Sequence, residues 1–555
     1  MRHGGRILVD QLAIQGVDTV FTVPGESFLA ALDGLHDHPE IRTIICRQEG
    51  GASIMAEAYG KMTGRPGICF VTRGPGAANA MAGLHIAQQD SSPMILFLGL
   101  PGECHEDREA FQEIETKQLF SSFVKWAAVI RSTARIPEYV SRAFHAAMSG
   151  RPGPVVLGLP EDMLSAVAEA VDAKVAVVAD ASPSPAAMDQ VAQVLASAKR
   201  PLMIVGGPGW SGEVRREIQS FAKRFDMPVG AAFRFQDYID NRHPNYVGHV
   251  GIGINAELAE AVRTADVLLV VGARLGEMTT GGYTLIDIPN PQQKLIHVHP
   301  DPDELGTVYR ADVAVAASAS RFAEALGGLQ APTRVSWAAH REGLREAYLT
   351  TLRPLETPGS VKMERVVATM SEMLPEDSVV TNGAGNYATF VHRYTQYRGW
   401  KSQLAPTSGS MGYGLPAAIA AKLVDRSKPV IAVAGDGCFM MTCQELATAV
   451  QYDLPIVILI ANNGMYGTIR MHQERHYPER VVGTTLVNPD FAAFARSFGA
   501  MGETVTKTEE FAPAFERALA AGKPALIELK IDPEALTVRQ TMAQITAQGK
   551  KSGGR

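Results

Sequence analysis

The apolar run VIAVA ends in Gly435-Asp436-Gly437, an acid between two glycines, and the next apolar run, LPIVILIA, ends in Asn462-Asn463. Asp436 and Asn463 are 27 residues apart. Apolar runs without alternation read as strands buried on both faces. A helix crossing between two parallel strands would bring their ends to the same sheet edge. There an aspartate and an asparagine offer oxygen ligands to a hard cation such as Mg2+. The flanking glycines let backbone approach a diphosphate closely, and a helix starting near Cys438 would point amide hydrogens at the same anion. Mg2+ is rarely caged by protein alone, so it would bridge protein and diphosphate. A lone GDG is usually a tight turn with a capping aspartate. The asparagine at the next strand end makes the pattern specific.

The elements that would position these residues recur along the chain. Short apolar runs end in glycine or polar residues: GICFVTRGPG, MILFLGLPG, PVVLGLP, LMIVGGPG, VLLVVGARLG, KLIHVHPD, SVVTNGAG and ALIELKI. Amphipathic segments such as ELAEAVRTA and FAAFARSFGA lie between them. This alternation predicts an α/β protein whose parallel sheets are covered by helices, with ligands at the carboxyl ends of strands. Residues 168–188, rich in Ala, Asp, Ser and Pro, and residues 350–361, TTLRPLETPGSV, read as linkers. The expected domains are 1–167, 188–330 and 357–540. The tail QGKKSGGR reads as disordered.

At 555 residues the chain exceeds what one core supports, and 46% hydrophobic with 20% charged residues is an ordinary globular balance. The net charge of -6 leaves no footprint for nucleic acid or an anionic membrane. The five cysteines, Cys46, Cys69, Cys104, Cys438 and Cys443, contain no CxxC pair, which argues against zinc or a disulfide framework and for a reducing compartment. The start, MRHGGRILVDQLAIQG, lacks the apolar core of a signal peptide. The apolar runs fall well short of the about 20 residues a membrane helix needs. The expectation is a soluble, cytoplasmic protein.

GDG followed by NN resembles the binding signature of thiamine diphosphate (ThDP) enzymes. The resemblance extends over nearly the whole chain and lies with acetolactate (acetohydroxyacid) synthase large subunits. RQEGGASIMAEAYGKMTGRPG (47–67) is similar to the family's catalytic-glutamate helix, and VTRGPGAANA (71–80) to its VTSGPGxxN loop. AFQEIE, SGRPGPVVLGLPEDM, SMGYGLPAAIAA and CQELATA also match family stretches. The resemblance implies three doubly wound parallel-sheet domains: pyrimidine-binding, central and diphosphate-binding. It further implies that each cofactor lies between the first domain of one subunit and the third of another, in a homodimer or homotetramer.

Carried over residue by residue, Glu49 would share a proton with N1' of the aminopyrimidine, favouring the imino tautomer whose 4'-nitrogen removes the C2 proton. Gly25 would touch the cofactor, and Gly76 and Asn79 would lie near the aminopyrimidine. Met411 would wedge the cofactor into a bent shape, and the Gly409 carbonyl would accept the 4'-amino proton. Gly383, Asn386, Gly435, Gly437, Cys438, Gly467 and Thr468 would surround the diphosphate. The Met465 carbonyl would complete the metal shell with Asp436 and Asn463. Phe111 and Gln112 match residues facing the substrate, Gln112 with a catalytic role.

Departures cluster at substrate positions. The family's RFDDRVTG reads Arg274-Leu275-Gly276-Glu277-Met278-Thr279-Thr280-Gly281 here, so Met278 replaces an arginine, and methionine cannot pair with a carboxylate. The family's GMVxQWQ reads Gly467-Thr468-Ile469-Arg470-Met471-His472-Gln473, placing His472 at a tryptophan position. Arg73 replaces a serine, either as a structural ion pair or as a cation for an acidic substrate. Arg73, Phe111, Gln112, Ile469 and His472 are the expected substrate pocket. In the central domain, GGPG (206–209), VGARLGE (271–277) and HVHPD (297–301) fall short of the full GxGxxG fingerprint. FAD, another nucleotide or nothing are its expected occupants, and the change at RFDDR weakens the case for FAD. The expected chemistry is decarboxylation of a 2-oxo acid, after which the fragment takes a proton or joins a second carbonyl compound. The alternatives are a non-ligating decarboxylase and a C-C lyase or hydrolase.

Overall fold

The computed structural model describes residues 1–552. It contains three six-stranded parallel sheets. The first is built from β1 (Thr19–Thr22), β2 (Arg42–Ile45), β3 (Gly67–Thr72), β4 (Met94–Leu100), β5 (Trp126–Val129) and β6 (Pro154–Pro160), in the order 2-1-3-4-6-5. The second comprises β7 (Pro201–Val205), β8 (Val229–Ala232), β9 (Tyr246–Val250), β10 (Val267–Val271), β11 (Lys294–His299) and β12 (Val313–Ala316), in the order 9-8-7-10-11-12. The third comprises β13 (Val379–Asn382), β14 (Gln403–Leu404), β15 (Val430–Gly435), β16 (Val457–Asn462), β17 (Met501–Val505) and β18 (Ala525–Lys530), in the order 14-13-15-16-18-17. The first and third sheets thus share one topology, and the second has the order of a dinucleotide-binding sheet. The non-alternating runs behave as their sequence dictates: every residue of Met94–Leu100 and Pro154–Pro160 is buried.

By backbone contacts the chain forms two compact units, one of residues 1–179, 415–426 and 442–454, the other of 180–414, 427–441 and 455–555. In the first unit the linker after residue 168 is strapped down. Gln11 exchanges two hydrogen bonds with the Ala173 backbone, at 3.0 Å each, and Gln15 bonds the backbone of Lys174 and Ala176. In the second unit the segment after β8 is bonded to the loops around β13 and β14. Tyr397 N–H donates to Asn241 Oδ1 (3.0 Å), Gln236 N–H to Gln403 Oε1 (2.8 Å), and Ser402 N–H to Asp237 Oδ2 (3.1 Å).

The tail differs from expectation. Helix Met542–Lys551 carries a capping box at Thr541 and Gln544 and buries Met542, Ile545 and Gly549. A Cβ at Gly549 would lie 2.4 Å from the Glu474 carbonyl, so glycine lets this helix touch Gly467–His476. The polar composition hid that contact; residues 553–555 lie outside the described residues. Among the described residues no helix is long and apolar enough to cross a membrane.

Candidate functional site

β15 and β16 are hydrogen-bonded neighbours, with Gly435 beside Ala461. Asp436 and Asn463 therefore leave the sheet at one edge, on adjacent strands. Asp436 starts the short helix Asp436–Phe439 and is 2% exposed. Burial pushes its carboxyl pKa up, opposed by hydrogen bonds from Asn488 and the Gly437 and Gly464 backbone. Asn488 Nδ2 donates to Asp436 Oδ2 (2.6 Å) and to Asn462 Oδ1 (3.0 Å), fixing the carboxylate. Asn463 Oδ1 accepts the Met465 N–H at 3.2 Å. The 463–467 turn is held from outside: Tyr466 N–H donates to the Thr484 carbonyl and Leu486 N–H to the Gly464 carbonyl.

These residues open onto a cavity of about 240 Å3. Its walls include Gly385, Asn386, Gly409, Met411, Gly435, Asp436, Gly437, Cys438, Asn463, Met465, Gly467, Thr468 and Ile469. Thr468 Oγ1 donates to Asn386 Oδ1 (3.0 Å). Gly409 has φ +70°, a conformation glycine adopts without strain. Gly383 is the exception. It stands behind the wall with both backbone groups engaged: its N–H donates to the Tyr387 hydroxyl (3.1 Å) and its carbonyl accepts Arg234 Nη2 (2.8 Å). The expected contact of Gly383 with a diphosphate thus falls on a residue whose two backbone groups already have protein partners. The Tyr387 hydroxyl also meets Cys438 Sγ at 3.3 Å, and that sulfur accepts the Gly412 N–H at 3.2 Å.

The donor chemistry of this cavity suits a hard cation and a diphosphate. A carboxylate, an amide oxygen and backbone carbonyls line it beside glycine backbone. No group of three or more His, Cys, Asp or Glu side chains that could hold a metal is present among the described residues. A cation held here would complete its shell with oxygens of the ligand.

In the first unit, Glu49 is the first residue of helix Glu49–Thr63, whose N-cap Gln48 accepts the Gly51 N–H. Asn79 Nδ2 donates to Glu49 Oε2 at 2.8 Å, while a Cβ at Gly76 would lie 3.7 Å from Glu49 Oε1. Small residues make this meeting possible: a Cβ at Gly83 would lie 2.4 Å from Ser53, so helices Glu49–Thr63 and Arg73–Asp90 touch backbone to backbone. Gly25 packs on Thr72 at the end of β3.

Arg73 is buried, with φ +44°. Its guanidinium donates to Glu161 Oε2 (3.1 Å) and the Phe111 carbonyl (3.3 Å), lies 3.5 Å from Glu26 and sits over the Phe111 ring. The cation considered for an acidic substrate is thus paired inside the protein and braces the loop of Phe111 and Gln112. Gly74 N–H donates to the Gln112 carbonyl in the same loop. Phe111 is 70% exposed. Ile469 reaches the cavity, whereas His472, one turn further along its helix, is exposed, stacks on His476 and is not among the lining residues.

The second sheet reverses strand order between β7 and β10, where a dinucleotide would enter. That crevice is closed by the chain itself. A Cβ at Gly207 would lie 1.8 Å from the Gly272 carbonyl, so the two strand-end loops touch. Trp210 lies over them, donating Nε1–H to the Gly206 carbonyl (3.0 Å), and the Tyr238 hydroxyl donates to the Gly207 carbonyl (2.7 Å).

Sequence reasoning missed Asn488, Tyr387, Arg234 and Tyr466, because their roles come from contacts rather than from strand-end motifs. The chain matches three family descriptions: thiamine pyrophosphate enzyme, N-terminal TPP binding domain, over residues 2–119; central domain, over 188–326; and C-terminal TPP binding domain, over 383–529. It is 32% identical to the acetolactate synthase large subunit of Parasynechococcus marenigrum, over 95% of this chain and 87% of that protein. It is 30% identical to the acetolactate synthase isozyme 2 large subunit of Escherichia coli, over 96% of each chain. The mitochondrial acetolactate synthase catalytic subunit of Saccharomyces cerevisiae is also 30% identical, over 95% of this chain and 80% of that protein.

Proposed function

The chain belongs to the thiamine pyrophosphate enzyme family, and from that premise we propose that it decarboxylates a 2-oxo acid, with Mg2+ as its metal, and joins the remaining fragment to a second carbonyl compound. The observation that carries this reading is the cavity at the ends of β15 and β16, where Asp436 and Asn463 stand side by side among glycines. When bound, thiamine diphosphate supplies a carbon nucleophile at C2 and a thiazolium that takes up the electron pair left by CO2.

The protein's own residues do the rest. Asp436, Asn463 and the Met465 carbonyl would hold the cation, with Asn488 keeping Asp436 in place. Asn386, Gly435, Gly437, Cys438, Gly467 and Thr468 would surround the diphosphate, and Gly409 and Met411 the ring end. Asn79 occupies Glu49 Oε2, which leaves Oε1 to hold and exchange a proton at N1'. Phe111 and Gln112, on the loop braced by Arg73, would face the substrate, with Ile469 at the cavity. A homodimer or homotetramer is part of the proposal, as is a cytoplasmic location. No flavin step is part of the proposal; at the central crevice Trp210 bonds the Gly206 carbonyl and the Gly207 and Gly272 loops meet.

Met278 favours one second reading. Without a guanidinium at that position the acceptor acid loses a partner, and the fragment would leave as an aldehyde. Incubation with pyruvate, alone and with a second carbonyl compound, followed by CO2 measurement and product analysis, separates the two. An acyloin supports the proposal, and aldehyde alone supports the second reading. Absence of CO2 across a panel of 2-oxo acids contradicts both.

A further inference from the structure

Glu445 belongs to the first compact unit, although it lies far along the chain from the other residues of that unit's sheet. Its side chain is fully buried, at 0% exposure. Its Oε1 accepts the backbone N–H of Arg47 (3.1 Å) and of Gln48 (3.1 Å). Its Oε2 accepts the Thr448 hydroxyl at 2.7 Å and shares the Arg47 N–H, at 3.3 Å. Arg47 and Gln48 are the two residues before Glu49. A Cβ at Gly51 would lie 2.4 Å from Glu445 Oε1, so glycine there makes room for the carboxylate. Together these contacts put a buried acid against the N-terminus of the helix whose first residue is Glu49.

A buried carboxylate is costly unless its oxygens are satisfied. Here burial pushes the Glu445 pKa up, while the Thr448 hydroxyl and the Arg47 and Gln48 N–H groups pull it back. The positive end of the helix dipole acts in the same direction. The arrangement leaves little freedom for the backbone leading into Glu49. A residue that must exchange a proton at one ring nitrogen depends on such fixity, because a misplacement of about 1 Å can cost about 100-fold in rate.

We propose that Glu445 is a positioning residue: its carboxylate clamps the Arg47 and Gln48 amides and thereby aims Glu49 at its proton-transfer partner. The proposal rests on the role of Glu49 given above. Geometry rather than charge is the operative feature, since Oε1 takes both amides at 3.1 Å and Oε2 only shares the Arg47 N–H at 3.3 Å. A glutamine can reproduce that oxygen and turn its amide N–H2 toward the Thr448 hydroxyl. An aspartate keeps the charge but is one methylene too short to reach.

Glu445→Gln and Glu445→Asp test this, with Glu49→Gln as the control. In the protein without cofactor, amide hydrogen exchange at Arg47 and Gln48 is the direct readout. Faster exchange is expected in Glu445→Asp and near-native protection in Glu445→Gln. With thiamine diphosphate and Mg2+ bound, the rate of deuterium exchange at the cofactor C2 should fall about tenfold or more in Glu445→Asp and stay within about threefold in Glu445→Gln. Native exchange in Glu445→Asp at both places overturns the proposal, as does equal slowing in the two variants. If Glu49→Gln itself exchanges the C2 proton at the native rate, the reading of Glu49 fails. A slow Glu49→Gln with a native Glu445→Asp removes only the role of Glu445.

Discussion

Asn79 donates a hydrogen bond of 2.8 Å to Glu49 across two helices that touch through glycine and serine. The bond selects one carboxylate oxygen as its acceptor and leaves the other free to handle a proton. Glu49→Gln should therefore lower turnover by about 10²–10⁴-fold while thiamine diphosphate still binds. Steady-state rates with a cofactor titration check this, and native turnover in the variant would refute the proton role.

Asn488 touches both Asp436 and Asn462, and so sets the carboxylate that would face the metal. Asn488→Ala should weaken Mg2+-dependent cofactor binding by about 10–100-fold, the usual cost of losing a residue that orients a metal ligand. A titration of cofactor at fixed Mg2+ measures it. Unchanged affinity would mean that Asp436 needs no support.

The closed crevice of the second sheet carries its own expectation. The purified protein should lack flavin absorbance, and added FAD should neither bind nor change turnover. Copurifying FAD would show that the Trp210 indole moves aside.

Acid should destabilise the fold through its buried imidazoles. Burial pushes His299 down from 6.5 to about 4, and His249, His297 and His392 are lowered for the same reason. The unfolded chain takes up these protons first, so the contribution of His299 is complete above about pH 6.5 and is lost as pH falls toward 4. Its share of the loss is about 3 kcal/mol. His299→Asn should flatten the acid limb of stability, measured by urea unfolding at pH 7 and pH 4.5. Parallel losses in variant and parent would contradict this.

The sequence carried the strand ends well. Apolar runs with glycine or asparagine at their ends report burial on both faces and a turn at the sheet edge, so Asp436, Asn463 and their adjacency were readable. Glu49 was readable only through its resemblance, because an acid at a helix start is ordinary. Asn488, Tyr387, Arg234 and Glu445 were not readable in role: each acts by a contact that folding creates between distant segments. The Tyr387 and Arg234 partners of the Gly383 backbone were not readable, because a motif names a loop but not which of its amides is engaged. The tail helix was missed because its anchor is a close backbone approach at Gly549 rather than an apolar stripe.

In the proposed function Asp436 holds a cation that ties down thiamine diphosphate. The most direct measurement is a calorimetric titration of the cofactor into the native protein and into Asp436→Ala, each with Mg2+ and with a chelator. Tight binding is expected only for the native protein with Mg2+, with a loss of about 100-fold or more in the other three cases. Equal affinity in all four would contradict it.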